Sequence, residues 1–407
     1  MCDVLIIGGG ASGIVASIYA KNEFNKVVVL ERNNDILKKL LMTGNGRCNY
    51  LNEVYSMNNY HSNNIDIVDK IISSENISKV KEFFDSLGII PKIKNGYFYP
   101  STNQAVTIKD VLKDKAISIG VDIRYNSLVT SIDKVNDKFK VICNDEEILC
   151  DKLIISTGSY AYPNTGSDGM GYNFLKKFNH TIIKPLPALV PLISNFKYLK
   201  DWDGVRSDVK LELFEDDKYI AEESGEVQLT NYGISGICTF NLSHFVTRGL
   251  DLGKKEVIKI NFVPFIETLI TPWMDNYAKK NDNKNLDKLL SGFINKKIAS
   301  IILKVSNLDK NLYYKDLSNE EKLTLCKNLR SLEVEIISTK SFDNAQVVNG
   351  GVSLDEINPK TMESLKVNNL YIIGELLDIN GNCGGYNLTT CWISGMLSGK
   401  SIGEDND

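Results

Sequence analysis

Gly8, Gly10 and Gly13 stand at the spacing Gly-x-Gly-x-x-Gly, and Glu31 follows eighteen residues beyond the last of them. The first glycine permits a tight turn, the second lets a pyrophosphate approach the backbone, and the third lets a helix pack on a strand. N–H groups at the start of that helix, around Ala11 and Ser12, favour an anion, as does the helix dipole. Glu31 is placed to accept hydrogen bonds from ribose hydroxyls, and its charge disfavours a 2′-phosphate there. The chemistry is dinucleotide binding, with Arg32 counted in the same set.

These residues need a strand before the glycines and another ending at the acid. Asp3-Val4-Leu5-Ile6-Ile7 and Val27-Val28-Val29-Leu30 supply the two strands, and Ala16 and Ala20 keep the intervening helix thin where it meets the sheet. A glycine-rich turn alone is weak evidence. A turn set between such strands specifies a βαβ unit.

The 407 residues are enough for two or three domains, and 43% apolar with 24% charged residues is ordinary for a globular protein. A net charge of −4 supplies no basic surplus for nucleic acid, so no nucleic-acid partner is expected. No apolar run is long enough to span a bilayer, and the opening residues already belong to the βαβ unit, so neither membrane nor export is expected. The expected compartment is the cytoplasm. Eight cysteines contain no Cys-x-x-Cys, and His61, His180 and His244 lie far apart. A metal site is therefore not expected, and each histidine reads as structural or surface.

Helical pattern runs through Val80–Leu87 with a glycine stop at Gly88, and again through 103–120. Strand-like runs follow at 121–132, 138–143 and 147–150, the last two forming a hairpin around Asn144-Asp145. Leu153–Ser156 reads as a short buried strand ending in Thr157-Gly158. Residues 186–263 alternate β-branched and polar residues with little helical period, which predicts an inserted antiparallel β unit. Residues 264–330 are rich in Lys, Asn and Leu and predict helices, for example over 284–304 and 318–330. Strands return from about 333, and Leu370–Ile373 leads into Gly374-Glu375 and a final helix near 386–402. Gly166–Gly171 has no buried strand before it and reads as a loop.

Thr157-Gly158 and Gly374-Glu375, each after a buried strand, resemble the second and third turns of two-dinucleotide-type flavoproteins. In that architecture the helix beginning near Gly384-Gly385-Tyr386-Asn387-Leu388 aims its N–H groups at the flavin pyrimidine carbonyl and stabilises the reduced anion. The resemblance then becomes specific. Lys39-Leu40-Leu41-Met42-Thr43-Gly44-Asn45-Gly46-Arg47-Cys48-Asn49, Pro187–Leu192, Gly350–Ser353, Asn358–Ser364 and Gly374-Glu375-Leu376-Leu377-Asp378 look like signatures of one family. It is the BaiN/YhiN-type family of NAD(P)/FAD-dependent oxidoreductases, and the match covers essentially the whole chain.

The resemblance implies an α/β fold: a two-dinucleotide-type, Rossmann-like FAD-binding domain interrupted by a β-barrel-like insertion and a small helical domain. The implied boundaries are 1–185 with 346–407 for FAD, 186–263 with 331–345 for a β-rich substrate domain, and 264–330 for the helices. FAD would be held without a covalent link by Gly8, Gly10, Ala11, Ser12, Gly13, Glu31, Arg32, Lys39, Leu40, Thr43, Gly44, Asn45, Gly46, Arg47, Cys48, Asn49, Val129, Thr157, Gly158, Gly374, Glu375, Asp378, Gly385, Tyr386, Asn387 and Leu388. Two departures bear on substrate. The family's Thr-His-x-Gly-x-Ser-Gly-Pro is here Thr230-Asn231-Tyr232-Gly233-Ile234-Ser235-Gly236-Ile237, and its Gly-Arg-x-Phe-Pro is Gly96-Tyr97-Phe98-Tyr99-Pro100.

Tyr386 is the candidate proton donor, the alternative being a ring packed in its loop. Cys48 is a packed thiol in preference to a redox centre, since no cysteine nearby in sequence could resolve it. Asn231 and Tyr232 are candidates for the substrate side or for loop structure. Without a second glycine motif there is no dedicated nicotinamide domain, so NAD(P)H would visit the flavin face transiently. Three readings follow: reduction of an activated C=C in an enone-like or steroid-like small molecule; oxidation of a small amine such as aminoacetone with release of peroxide; and a non-catalytic flavin-binding or RNA-associated protein.

Overall fold

Cys2–Ile7 is buried at every position except Asp3, as a strand with neighbours on both edges and layers on both faces must be. In this computed structural model, which describes residues 1–266 and 268–404, it lies at the centre of a seven-stranded sheet. Val27–Leu30 and then Asp122–Arg124 pair parallel on one side, and Glu146–Ile155 pairs parallel on the other. Leu370–Ile372 adds parallel to residues 153–155. The strand order reverses between Cys2–Ile7 and Glu146–Ile155, so their carboxyl ends flank a topological switch point, where open α/β sheets bind ligands.

The runs expected at 147–150 and 153–156 form one strand, Glu146–Ile155. Its first half pairs antiparallel with Lys138–Cys143 and its second half pairs parallel with Cys2–Ile7. The hairpin at Asn144-Asp145 is present, with φ of 48° and 66° at the two residues, the positive values a two-residue hairpin turn requires. The run at 121–132 is interrupted: Asp122–Arg124 and Val129–Val135 sit at opposite ends of the main strand order.

The glycine helix Ala11–Ala20 packs against the C-terminal helix Tyr386–Glu404. A Cβ on Gly395 would lie 2.5 Å from the Ser12 carbonyl, and one on Gly399 would lie 2.6 Å from that of Ala16. The two backbones are therefore close because those side chains are absent, and the contact fixes Ser12 relative to the C-terminal helix.

The chain divides into two compact units, 1–186 with 346–407, and 187–345. The second holds a closed six-stranded barrel in the order Leu192–Ser194, Gly233–Ser235, Lys218–Thr230, Arg206–Glu215, Glu256–Asn261, Leu332–Thr339. Residues 186–263 read as an antiparallel β unit with little helical period, yet Ile237–Asp251 is a fifteen-residue helix. Its buried face carries Thr239, Ser243, His244 and Thr247 among its apolar residues, so the helical apolar period is diluted.

Helices Ile270–Lys280, Leu286–Leu290, Lys296–Val305 and Asn319–Arg330 follow, the last opened by a Ser318–Glu321 capping box. The single helix expected over 284–304 is two. Asn295 caps the second through the Lys297 N–H, and Gly292 weakens the helix between them. No helix among the described residues is long and apolar enough to cross a membrane.

Candidate functional site

Three turns leave the carboxyl ends of adjacent parallel strands, and each carries one of the motifs. Gly8 (φ 104°) turns directly against Ser156: a Cβ there would meet the Ser156 carbonyl at 2.5 Å. Ser156 donates its N–H to the Ile7 carbonyl and its hydroxyl to the Gly8 carbonyl, both at 2.9 Å. Gly13 is as tight, 2.1 Å from the Gly8 carbonyl for a notional Cβ, and Gly374 closes on the Ser12 hydroxyl at 2.4 Å. Gly8, Ser12, Gly13, Thr157, Gly158, Gly374 and Glu375 are thus brought together.

Gly10 differs from these. A Cβ there meets nothing within 4 Å, and the helix it opens has no side-chain cap and no acid in its first turn. The result is open space in front of a helix N-terminus that no side chain caps, and the first N–H groups, including that of Ala11, suit an anion there. Beside it Glu31, 7% exposed, accepts the Gly9 N–H at 2.8 Å and two bonds from Asn33 at 2.8 and 2.7 Å. A carboxylate offers about four acceptor positions, so Glu31 keeps capacity for a ribose hydroxyl. Asn33 carried no sequence signal; it is found through Glu31.

Lys39 reaches Glu375 at 2.5 Å, and Ser159 donates its hydroxyl to the same oxygen at 3.2 Å. Arg32 pairs with Asp168, from the segment read as a loop; that segment leads into the helix Met170–Lys177. The Thr157 hydroxyl is buried with no hydrogen-bond partner. Leu40 is buried, and the Thr43 hydroxyl donates to its carbonyl. Gly44, Asn45, Gly46 and Cys48 all have positive φ, which folds the segment into a tight loop. Arg47 is exposed above the Tyr99 ring at 5.4 Å. Cys48 is fully buried, and burial pushes its thiol up to about 12, so it is a neutral packed thiol. Val129 is buried at the start of its strand, two residues after Ser127, whose N–H donates to the Glu31 carbonyl.

The C-terminal helix meets this loop. A Cβ on Gly385 would lie 3.1 Å from Asn49. Asn387 donates to the Gly381 carbonyl at 2.7 Å and accepts the Gly381 N–H at 2.8 Å, which holds the preceding turn; Leu388 follows, half-buried. Asp378 is buried and accepts from the Asn63 N–H and the Ser62 hydroxyl, so it fastens the 62–64 loop. Tyr386 opens the helix, 7% exposed, edge-on to Tyr60 at 5.5 Å, and its hydroxyl accepts from Asn59 at 3.0 Å. Burial raises the phenol to about 12, keeping it protonated at neutral pH. Asn59 and Asn382 around it were not singled out in the sequence; His61, read there as structural or surface, lies beside them. In the 187–345 unit, Asn231 and Tyr232 form the hairpin turn closed by Thr230, with Lys340 over the Tyr232 ring at 4.1 Å.

The HI0933-like protein Rossmann domain family matches residues 2–401. The chain belongs to that family. It is 34% identical to the 3-dehydro-bile acid delta(4,6)-reductase of Clostridium scindens over 98% of both chains. It is 26% identical to the ribosomal RNA dihydrouridine synthase of Escherichia coli, again over 98% of both. Among solved structures, 3-ketosteroid delta1-dehydrogenase of Sterolibacterium denitrificans superposes with a TM-score of 0.53 at 9% identity, covering 99% of each chain, a likeness of fold. The chain is an FAD-dependent oxidoreductase.

The residues present fit FAD. The space at Gly10, the uncapped helix, the acceptor capacity of Glu31 and the unpartnered Thr157 hydroxyl are features that a pyrophosphate and ribose would complete.

Proposed function

We propose that this protein reduces a carbon–carbon double bond conjugated to a carbonyl in a small, enone-like or steroid-like molecule, with NAD(P)H as the electron source. The observation that carries the reading is Tyr386, a protonated phenol at the start of the helix that follows Gly384-Gly385, beside the Asn49 loop. The full-length likeness to a bile-acid reductase supports it.

Glu31, Lys39, Glu375, Thr157 and the N–H groups after Gly10 would hold FAD. Bound FAD would supply the hydride that adds to the β carbon. The π pair then moves toward the carbonyl, and Tyr386 delivers its proton to the α carbon, so the two added hydrogens and two electrons are accounted for. Gly385 and Asn387 fix the turn from which the phenol is presented.

The dihydrouridine synthase relative supports a second reading. The uracil C5–C6 bond is also conjugated to a carbonyl, so an RNA uracil asks the same of a hydride and a phenol. The higher identity to the bile-acid enzyme favours the small substrate.

The test is an anaerobic titration of the flavin-loaded protein with NADPH and NADH, then addition of cyclohexenone, 4-androstene-3,17-dione or a uridine-containing RNA. Bleaching followed by recolouring with an enone supports the reading. Recolouring with RNA alone moves it to the second. Bleached protein that recolours only in air with peroxide would overturn both.

A further inference from the structure

Tyr386 is connected to a line of side chains whose hydrogen bonds, with the Asn59 and Asn382 amides oriented as they stand, all run one way. Asn59 donates its amide N–H to the Tyr386 oxygen at 3.0 Å. The Asn59 carbonyl oxygen accepts from the Asn382 amide at 3.4 Å. The Asn382 carbonyl oxygen faces Nε2 of His61 at 3.0 Å. An amide oxygen carries no proton, so that histidine nitrogen is the donor. The line therefore runs His61 to Asn382 to Asn59 to Tyr386, each group donating to the next. At its end the phenol oxygen has received a bond, and its own proton is left to point elsewhere.

The backbone keeps this register. Tyr60 and His61 pair antiparallel with Gly381 and Asn380, and the Asn382 N–H donates to the Asn59 carbonyl at 2.9 Å. Asn382 is 8% exposed and Tyr386 7%, with Asn59 and His61 half-buried beside them, and hydrogen bonds in partly buried surroundings polarise one another.

We propose that Asn59, held by Asn382 and His61, is a positioning residue that makes Tyr386 an obligatory hydrogen-bond donor and stabilises the oxygen left when its proton is given up. The proposal rests on the reduction described above and assigns that site its acid. As hydride reaches the β carbon, the Tyr386 O–H bond breaks, the proton goes to the α carbon, and the electron pair stays on the phenol oxygen. The Asn59 amide donates to that oxygen, and solvent returns the proton afterwards. A reduced nicotinamide is the reductant and is oxidised in the overall reaction.

The direction of the line can be tested because Asp and Asn have the same shape and opposite hydrogen-bonding sense. Asn59→Asp would accept the phenol proton and pull it away from substrate, whereas Asn59→Ala removes the donor without misdirecting that proton. The experiment follows reduced, anaerobic holoenzyme as it is recoloured by 4-androstene-3,17-dione or cyclohexenone, with bleaching by NADPH as a control. Tyr386→Phe should slow recolouring by roughly 100-fold, within the range for loss of a general acid. Asn59→Ala should slow it by about 10-fold, and Asn59→Asp by more than Asn59→Ala, while bleaching changes little in each.

A structural role for Asn59 predicts the reverse order, with the isosteric Asp mild and Ala severe; that order would overturn the proposal. A second readout needs no substrate. With 3-fluorotyrosine at position 386, fluorine NMR of the apoprotein follows the phenol titration, with Tyr60, Tyr97 and His61 as the titratable neighbours. Asn59→Ala should raise that phenol's pKa, because the phenolate loses its donor; an unchanged or lowered value refutes the donor line. If wild-type enzyme is not recoloured by any enone while the fluorine shift behaves as stated, the substrate reading fails and the donor line stands.

Discussion

Lys39 and Glu375 lie 336 positions apart and meet at 2.5 Å, joining the loop after Val27–Leu30 to the turn after Leu370–Ile372. Both side chains are about one-fifth exposed (22% and 20%), and Glu375 also takes the Ser159 hydroxyl. The pair therefore ties together two of the segments that would contact the cofactor. Glu375→Ala leaves the Lys39 charge without its partner. We expect a loss of about 1–2 kcal/mol in stability and weaker FAD retention, read by thermal melting and by flavin released on gel filtration. Retention unchanged beside a lowered melting point would limit the pair to a structural role.

Gly10 and Gly13 separate binding from folding. Gly10 has an ordinary negative φ of −78° and open space around it, so Gly10→Ala should fold with an unchanged melting temperature as apoprotein. The added methyl occupies space meant for the pyrophosphate, and the variant should purify colourless. Gly13→Ala drives a carbon into the Gly8 carbonyl at 2.1 Å and should cost about 1–3 kcal/mol with or without FAD. A yellow Gly10→Ala protein with native affinity would refute this placement of the pyrophosphate.

The helix pair behaves as one device. Gly395→Ala must separate the Ser12 backbone from the C-terminal helix, costing about 1–3 kcal/mol as overpacking does. Because Ser12 stands in the first turn of the glycine helix, FAD affinity should fall too. Exposed Gly253, with nothing near a notional Cβ, can be used as a control through Gly253→Asn, which tolerates its φ of 75° and should leave both quantities unchanged.

His180 predicts how stability responds to pH. Its side chain is buried; Nδ1 bonds Glu356 and Nε2 bonds Ser364, both at 2.9 Å. The Ser364 oxygen already accepts the Lys366 and Val367 N–H groups, so its hydroxyl donates to a neutral imidazole. Burial lowers the His180 pKa, with Glu356 opposing. The unfolded chain takes up a proton near 6.5 while the folded one resists, so stability is lost as pH falls below that value. Glu356 adds the same sign further down: burial would raise it, but Lys366, Thr181 and His180 hold it at about 2. Its stabilisation is present above the ordinary carboxylate range and drains away as pH drops toward 2. Urea midpoints at pH 7.5, 6.0 and 5.0 should decline in that order, and His180→Asn should flatten the first step.

What was legible in the chain was what depends on near neighbours. Gly8, Gly10, Gly13 and Glu31 announce themselves because one βαβ unit holds all four, and positive φ at Asn144-Asp145 follows from residue type. The Asn59–Asn382 bond joins residues 323 apart through amides that carry no periodic signal, so the chain offers no cue to it. The helix Ile237–Asp251 was hidden for a different reason. Thr239, Ser243 and Thr247 turn their hydroxyls onto backbone carbonyls of their own segment, and a helix that satisfies buried polar groups internally needs no clean apolar stripe.

The strand Glu146–Ile155 and its neighbour Leu370–Ile372 are adjacent in the sheet, yet the whole 187–345 unit is threaded between them. During synthesis the ribosome must therefore deliver a complete barrel, with its own core, before the last strand of the nucleotide-binding sheet and the helix that seats Ser12 exist outside the exit tunnel. Closing that chain-wide loop costs entropy that grows only slowly with its length, but it sets an order of events. The inserted unit is free to fold first, and the dinucleotide groove is completed in the final stage. A chain truncated after residue 345 and released from the ribosome should hold a protease-resistant barrel and bind no flavin.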